Sequence, residues 1–519
     1  MSNTSKRALL LLLLLMLAFH TLLLQAQMPL NGDVAFLLNM AKHTEWSHFY
    51  LDYYEVNPPL IIYIYKLFMV PYYLGYVSDI SSLRIAVVSY LLFAIYLSWA
   101  NLLMFEINQR LLLIFSLSLG LFTISQSAFA QREHLIAAGL VVYFSHIVRA
   151  QLGKGGGALS VISMFMLSMS ICLKPQYFIV FIVVEAYLLV TKSTACRWKE
   201  YVTVGLLGFS YIVFVYQFQT EYIEHIIPLA REYYGVYFKS MRDVVKTASV
   251  IFIVMFFPYL LLKKVYFDKR VVFLLLLFFV SCLSAYIMGR SAFGYHLIPA
   301  FTFSFSLVYM AIILLSNKLV HNIRIINIIF VMIALVPVCV FKYQDLKRSY
   351  QLDYGLALHR LLSDKQNITQ SMFVDEEVLN LSKKIDQYSV RGQNITFVAS
   401  TGMSPHHTIP IHSGLPWLTK QPNFWLLPLT IKYRENDSHK DTMRFVQKTI
   451  TDDINDNKPS LIVVHLRERT ATRYGESDLL NALMEYPPFV TALSTYRKVD
   501  KASIEESTYE LYVRELRSD

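Results

Sequence analysis

Apolar residues in this chain gather into long runs instead of alternating with polar ones, and a run of about 18 to 20 is what a helix needs to cross a bilayer. Such runs recur at about 8–26, 85–105, 111–128, 135–148, 158–173, 176–191, 202–218, 247–262, 271–288, 297–316 and 324–341. They predict a polytopic α-helical membrane protein of about eleven transmembrane helices, several of them short. The first run follows Lys6 and Arg7, as a secretory signal would, yet no A-x-A-like cleavage site follows it and ten further runs do, so it predicts a retained first helix. Past residue 341 the pattern changes to strand-like runs, ITFVAS at 395–400 and LIVVH at 461–465, among helix-like stretches at 440–452 and 477–486. The chain therefore divides into a transmembrane domain, 1–341, and a soluble α/β domain, 342–519.

The segment 58–77, PPLIIYIYKLFMVPYYLGYV, decides the topology, because it is apolar but opens on Pro58 and Pro59 and is interrupted by Lys66 and Pro71. If it lies flat at the interface, fourteen basic side chains and only Glu106, Glu200 and Asp268 among the acidic ones fall in the loops of one side. Among the fourteen are Lys6, Arg7, Arg110, Arg149, Arg197 and Lys264. Making it a full span would invert everything downstream and break the positive-inside rule. The interfacial reading puts Asn31–Arg84, Gln131–His134, Glu221–Lys246, Arg290–His296 and the whole tail on the non-cytoplasmic side.

Composition agrees: 55% of the 519 residues are hydrophobic and 16% charged, with a mean hydropathy of +0.43, too apolar for a soluble protein of this size. The net charge of +10 does not indicate a nucleic-acid partner. Residues 1–341 carry 24 of the 47 basic and 14 of the 37 acidic side chains, so the tail balances at 23 of each. The four cysteines all precede the tail, which excludes a disulfide framework or a cysteine zinc site there. GKGGG at 153–157 lacks the Lys-Ser/Thr of a phosphate loop and predicts a cytoplasmic turn.

Candidate chemistry lies on the external side. Asp33 follows the first helix, with Asp52 and Glu55 about twenty residues on. Asp33 suits either the N-cap of the next helix or a general base at the membrane edge. Asp52 and Glu55 are either a solvated loop face or part of an ordered turn beside Tyr53, Tyr54 and the Pro-Pro pair. FQTEYIEHIIPLAREYYG at 218–235 places Glu224, His225 and Arg231 in a later loop. A loop histidine is commonly a surface residue, but with a first-loop carboxylate it also makes an oxygen and nitrogen pair for a metal. Arg132, Glu133 and His134 mark the external end of the third span, Lys174 that of the fifth, and Arg290 and His296 those of the ninth and tenth. Each cation is either an interfacial anchor or, together with Arg231, part of a cationic pocket for a phosphate.

The order of these features resembles the GT-C membrane glycosyltransferases, particularly the bacterial branch of aminoarabinose transferases and protein O-mannosyltransferases. The features are a short basic N-terminus, one helix, Asp33, a downstream YE-x-x-PP (Tyr54, Glu55, Pro58, Pro59), an interfacial segment before Leu83-Arg84, and EHIIPLAR. The resemblance covers residues 8–341. It implies transfer of a sugar from a polyprenyl-phosphate donor to a lipid, polysaccharide or protein of the cell envelope, at the outer face of a bacterial inner membrane, with the tail periplasmic. By the same resemblance Asp33 is the base, no nucleotide cofactor is used, and Glu55 with His225 holds a divalent metal, Zn²⁺ or Mn²⁺. Two positions depart from the pattern. Val34 replaces the acidic residue that often follows the aspartate, and Val56 replaces the lysine that holds the carrier phosphate, which leaves that work to Arg231, with Arg290, Lys174 and Arg132 as helpers.

Two other classes fit the topology. A transporter would be expected to have broken helices and paired repeats around a midplane site, whereas mid-helix acidity here is limited to Glu185. A lipid-linked glycan polymerase or O-antigen-type ligase would concentrate its essential residues in a large late loop, and the loops of the membrane half reach only about 25–30 residues.

Overall fold

The structure is a computed structural model and describes residues 2–124, 128–153, 156–192, 197–265, 268–290, 293–316, 347–348, 350–363, 374–390, 393–417, 419–421, 423–466, 468–469, 476–504 and 507–515. In chain order its helical half contains α1 (Asn3–Gln27), α2 (Gly32–His43), α3 (Phe49–Asp52), α4 (Leu60–Phe68), α5 (Val70–Tyr73), α6 (Asp79–Asn101), α7 (Ile107–Ile124) and α8 (Arg132–Gln151). Then follow α9 (Ala158–Leu173), α10 (Phe178–Val190), α11 (Trp198–Phe218), α12 (Ile227–Tyr233), α13 (Met241–Val265), α14 (Lys269–Gly289) and α15 (Ile298–Ser316). Each of the first ten apolar runs lies mostly within one of these helices as far as it is described; the run at 324–341 lies outside the described residues. Among the described residues six helices are long and apolar enough to cross a membrane: α1, α6, α11, α13, α14 and the stretch ending in α15. The segment 58–77 forms two short helices, α4 and α5, that meet at Met69, and neither is long enough to span.

The chain folds into two compact units. One comprises Met1–Gln25, Leu83–Ile212 and Lys239–Tyr354; the other comprises Ala26–Ser82, Val213–Phe238 and Gly355–Asp519.

In the first unit α8 is the central helix, with every residue from Glu133 to Ala150 buried. Its hydropathy is low because it meets protein on all sides, so it can carry Glu133, His134, His146 and Arg149 without offering them to lipid. Gly139 lets α9 come close: a Cβ there would sit 2.7 Å from the Met166 carbonyl oxygen. At one end of α8 a buried network forms. Arg197 pairs with Glu185 and with Glu200 at 2.9 Å, and His146 Nε2 lies 2.9 Å from Glu200. Tyr143 donates to Glu185 Oε1 at 2.7 Å and Tyr201 to Oε2 at 3.0 Å. Glu185 is thus the buried, hydrogen-bonded carboxylate of this network. Arg149 and Arg197, assigned to the same side by the charge count, share this end, and Lys6 bonds to Asn108 at 2.8 Å between the starts of α1 and α7.

The second unit is built on a four-stranded sheet in the order β1 (Ile395–Val398), β2 (Leu461–His465), β6 (Ser507–Arg514), β5 (Tyr496–Ile504); β3 (Glu468–Arg469) and β4 (Glu476–Ser477) form a separate pair. β1 and β2 are parallel, and β6 is antiparallel to both of its neighbours. The parallel strands β1 and β2 are buried on both faces, which is why their sequences read as unbroken apolar runs. One face packs on Leu381, Ile385 and Ile409. The other packs on Val446, Ile450 and Ile454 of helix Asp437–Asn457, together with Tyr233, Val236 and Tyr237 from the loop after α11. That loop is therefore part of the tail's core.

α4 lies against α2. The buried Lys66 ammonium donates to the Ala41 and Thr44 carbonyls, at 2.8 and 2.6 Å, which closes the C-terminus of α2. Burial lowers its pKa to about 8. The lysine that interrupts the apolar segment serves as a helix cap.

The first loop is also bonded to the tail. Tyr54 N–H donates to the Lys420 carbonyl at 2.9 Å, the Lys420 N–H donates to Asp453 at 2.8 Å, and the Trp425 indole donates to the Tyr54 carbonyl at 3.1 Å. Burial pushes Asp453 up to about 7 from the ordinary 3.8, against the pull of the Lys420 N–H. A raised carboxyl pKa makes the folded state bind the extra proton, so its stabilisation is complete below about pH 4 and is lost as pH rises through 7. Asp453→Asn should remove that slope, worth about 1.4 kcal/mol per pKa unit. Tryptophan-detected melting from pH 4 to 8 checks this: the variant's curve should be flatter than the wild type's, and parallel curves would refute it.

Candidate functional site

Asp33 occupies the first turn of α2, and the side chain that caps the helix is Asn31. Asn31 Oδ1 accepts from the Asp33 N–H at 3.0 Å, and its carbonyl accepts from Ala35 N–H at 2.8 Å. The cap role that suits an aspartate here is taken two residues earlier, and the half-buried Asp33 carboxylate is not the cap.

The tail surrounds the backbone that leads into α2. The Leu30 N–H donates to His412 Nε2 at 3.1 Å, and Thr408 Oγ1 donates to the Leu30 carbonyl at 3.1 Å. Gly32 abuts the tail so closely that a Cβ there would lie 2.5 Å from the Met403 carbonyl carbon and 2.7 Å from Ser404 N. Farther along α2, Asn39 Nδ2 donates to the Trp417 carbonyl at 2.8 Å, and Phe36 packs on His407 with ring centroids 4.8 Å apart. Leu30, Thr408 and His412 are all buried.

Glu55 is buried and accepts the Asn57 N–H through Oε1 at 2.8 Å, which orders the turn before Pro58. Asp52 ends α3 on the exposed surface. The loop after α11 folds onto this turn. Tyr222 packs on Tyr50 with centroids 4.8 Å apart and the rings tilted by 39°, its hydroxyl reaches the Val56 carbonyl at 3.4 Å, His48 lies 2.6 Å from Glu221, and the Phe49 N–H donates to Gln219 at 2.9 Å. Glu224 and His225 lie in a π-helical turn, Tyr222–Ile226, where Pro228 of the following α12 has no N–H to contribute. His225, Glu224 and Arg231 are exposed. The loop after α11 thus lies on the turn that carries Glu55, while His225 itself is exposed. Among the described residues no group of three or more His, Cys, Asp or Glu side chains is gathered for a metal.

The first unit carries its own polar cluster at the other end of α8. Lys174, the residue after α9, pairs with the fully buried Glu133 at 2.6 Å. Lys174 Nζ also lies 3.1 Å from His296 Nδ1, and His296 Nε2 lies 3.4 Å from the same Glu133 oxygen. A lysine donates, so Nδ1 accepts and the imidazole is neutral, with its proton on Nε2 facing the carboxylate. Arg132 adjoins the cluster and acts electrostatically on Glu133 and Lys174. His134, the next residue, instead contacts the Leu121 carbonyl at 3.1 Å and packs on Phe129. Arg290 is the left-handed residue that ends α14, and it meets Lys239 through both its carbonyl and its guanidinium.

Two polar centres follow: a carboxylate at the start of α2 in one unit, and a lysine, carboxylate and histidine triad in the other. A sequence reading can nominate Asp33, Lys174, Glu133 and His296 as polar residues at helix ends. It misses Asn31, whose Asn-Gly-Asp setting was the available signal for a cap, and it misses Thr408 and His412, which have no local signal.

The arrangement of a first apolar helix, a loop with short helices, further apolar helices and a mixed-sheet tail is the GT-C fold. The chain aligns over 98% of its length with 98% of ArnT, the aminoarabinose transferase from Cupriavidus metallidurans. The TM-score is 0.54 at 13% identity for the crystal structure bound to undecaprenyl phosphate and 0.55 at 12% identity for the apo state. A crystal structure of the Archaeoglobus fulgidus oligosaccharyltransferase also aligns, over 98% of this chain and 75% of that one, with 13% identity and a TM-score of 0.42. No family model matches the sequence, and no curated protein matches it.

Removing one partner of a buried ion pair leaves an uncompensated charge and costs about 3–5 kcal/mol. Glu133→Gln should therefore lower the melting temperature sharply, and Glu133→Gln with Lys174→Met should recover most of the loss. A double variant no more stable than the single one would show that the pair does not carry this energy.

Proposed function

We propose that the chain is a glycosyltransferase that moves a sugar from a polyprenyl-phosphate donor to a hydroxyl or amine of a cell-envelope lipid, polysaccharide or protein, at the outer face of the bacterial inner membrane. The observation that carries the reading is Asp33: a half-buried carboxylate that does not cap its helix, one short linker beyond the first long apolar helix, in a fold shared with an enzyme crystallised with undecaprenyl phosphate. In this reading Asp33 takes the acceptor's proton as the nucleophile attacks the anomeric carbon. The anomeric bond to the carrier phosphate breaks with inversion, and the phosphate leaves on the lipid. Cations stabilise that leaving group. With Val56 in place of a lysine, Arg231 is the principal candidate, with Arg290, Lys174 and Arg132 as helpers. Asp52, Glu224 and His134 take no step.

A divalent cation would be held by Glu55 and His225, with water or substrate completing its shell, and would stiffen the loop around Asp33. That loop's order already rests on Asn57, Tyr50 and Tyr222, so chelation should affect acceptor handling more than folding. Loss of activity with EDTA, restored by Zn²⁺ or Mn²⁺ and abolished in Glu55→Gln, is the expected outcome. Indifference of transfer to both changes would remove the metal.

The decisive test is Asp33→Asn. The variant should fold and bind carrier lipid while transfer falls by about two to four orders of magnitude; near-normal turnover would end the reading. Topology is tested separately in a background lacking the native cysteines. A cysteine at Lys199 should react with an impermeant maleimide only after permeabilisation, and one at Lys440 from outside. Labelling of Lys440→Cys only from inside would overturn the assignment of the tail to the external face.

A further inference from the structure

The carboxylate proposed as base stands in the first turn of α2, just after a four-residue linker, 28–31, and a linker between a long helix and a short one does not by itself fix a side chain to the tolerance that catalysis requires. Catalytic groups must be held to within about half an ångström. Three features of the tail act on this linker and on the first residue of α2. The Leu30 N–H is bound by His412 Nε2 and the Leu30 carbonyl by Thr408 Oγ1, both at 3.1 Å. The α carbon of Gly32 rests on the Met403–Ser404 peptide with no room for a methyl group. Both polar groups of one peptide residue are thus taken up by side chains of one short tail helix, Thr408–Ser413, 378 and 382 residues away in sequence.

The segment that does this follows β1 at the carboxyl edge of the parallel pair β1–β2, where open α/β sheets place their functional loops. Its entry is strained. Ala399, the residue after β1, adopts a left-handed conformation with φ of 63°, one that costs a non-glycine residue about 1 kcal/mol or more. The side chains along it, Ser400, His406, His407, Thr408 and His412, are all buried.

We propose that tail segment 403–412 is the positioning device of the active carboxylate, with Thr408 and His412 as positioning residues that hold the Leu30 peptide and thereby aim Asp33. The inference rests on the reading of Asp33 as base and deepens it: the tail sets the geometry of the proton-accepting group as well as any acceptor contact it makes. His412 accepts through Nε2, so its imidazole is neutral with the proton on Nδ1. An uncharged acceptor of similar reach should replace it, and an apolar side chain should not.

Two measurements on the full-length detergent-solubilised protein test the proposal, each in variants that keep a wild-type elution profile. The first needs no substrate. In Asp33→Cys, the rate of iodoacetamide alkylation as a function of pH reports the environment of position 33. Adding Thr408→Val or His412→Leu should change that rate by about threefold or more or displace its midpoint, whereas Thr408→Ser and His412→Gln should leave it close to the parent's. Unchanged alkylation in both Val and Leu variants would overturn the proposal. The second uses undecaprenyl-phosphate-linked sugars as donors. Thr408→Val and His412→Leu should lower kcat by about ten- to a hundredfold with little change in donor KM, the size expected for a displaced catalytic group. Thr408→Ser and His412→Gln should restore it. If Asp33→Asn abolishes transfer while Thr408→Val and His412→Leu turn over normally, the positioning role is wrong and the base assignment stands. If Asp33→Asn itself turns over normally, the reading beneath the proposal fails with it.

Discussion

A charge at membrane depth must be met by protein, because no water is there to meet it, and that constraint organises the membrane unit around α8. Every residue of this helix from Glu133 to Ala150 is buried, and its charged side chains sit near its two ends. At one end Glu133 holds Lys174 and His296; at the other His146 joins the Glu185, Arg197 and Glu200 network, and Arg149 bonds to Ser160 and the Gly156 carbonyl. The sixteen-residue separation of Glu133 and Arg149 corresponds to about 24 Å of helix, so the two clusters occupy opposite ends of the unit.

The spanning half was legible in the sequence because its signal is local. A helix surrounded by lipid or by other apolar helices needs no particular partner to be recognised. Each of the ten runs that can be compared lies mostly within a helix, and the breaks at Pro58, Pro59 and Pro71 anticipated that 58–77 would form short helices and no span. α8 falls short as a spanning helix because its polar residues are paired internally, a property no window of hydropathy can register. Lys66 shows the reverse problem: its interruption of an apolar segment read as a topological mark, and its work is to cap α2.

The compact units were not legible as such, since the boundary drawn at residue 341 follows the hydropathy and the contacts do not. The first external loop and the loop after α11 belong with the tail, through contacts of two kinds that leave no trace in sequence. Some use backbone groups, as at Leu30, Tyr54 and Lys420, where any residue type would serve. Others place apolar side chains of one segment in another segment's core, as Tyr233 and Tyr237 do. The identity of Gly32 does carry information, but only once the Met403–Ser404 peptide is known to lie against it.

The substitution of Val56 for the lysine of the resembling family bears on how this chain could manage a phosphate. Lys174 is a compensated cation: Glu133 fixes its ammonium, and His296 Nδ1 accepts a hydrogen bond from it while turning its own Nε2–H toward the same carboxylate. Compensation lowers the net charge of the cluster, yet it prevents the lysine from extending toward water and holds its donors in one place. An incoming anion would then find a pre-oriented donor beside Arg132 and would pay little to order it. The same carboxylate would oppose an anion once it arrived, which favours release of the phosphate after the sugar has left. On the proposed reaction a compensated lysine suits a carrier that must be bound, stripped of its sugar and returned to the bilayer, better than an unpaired cation that would retain the product.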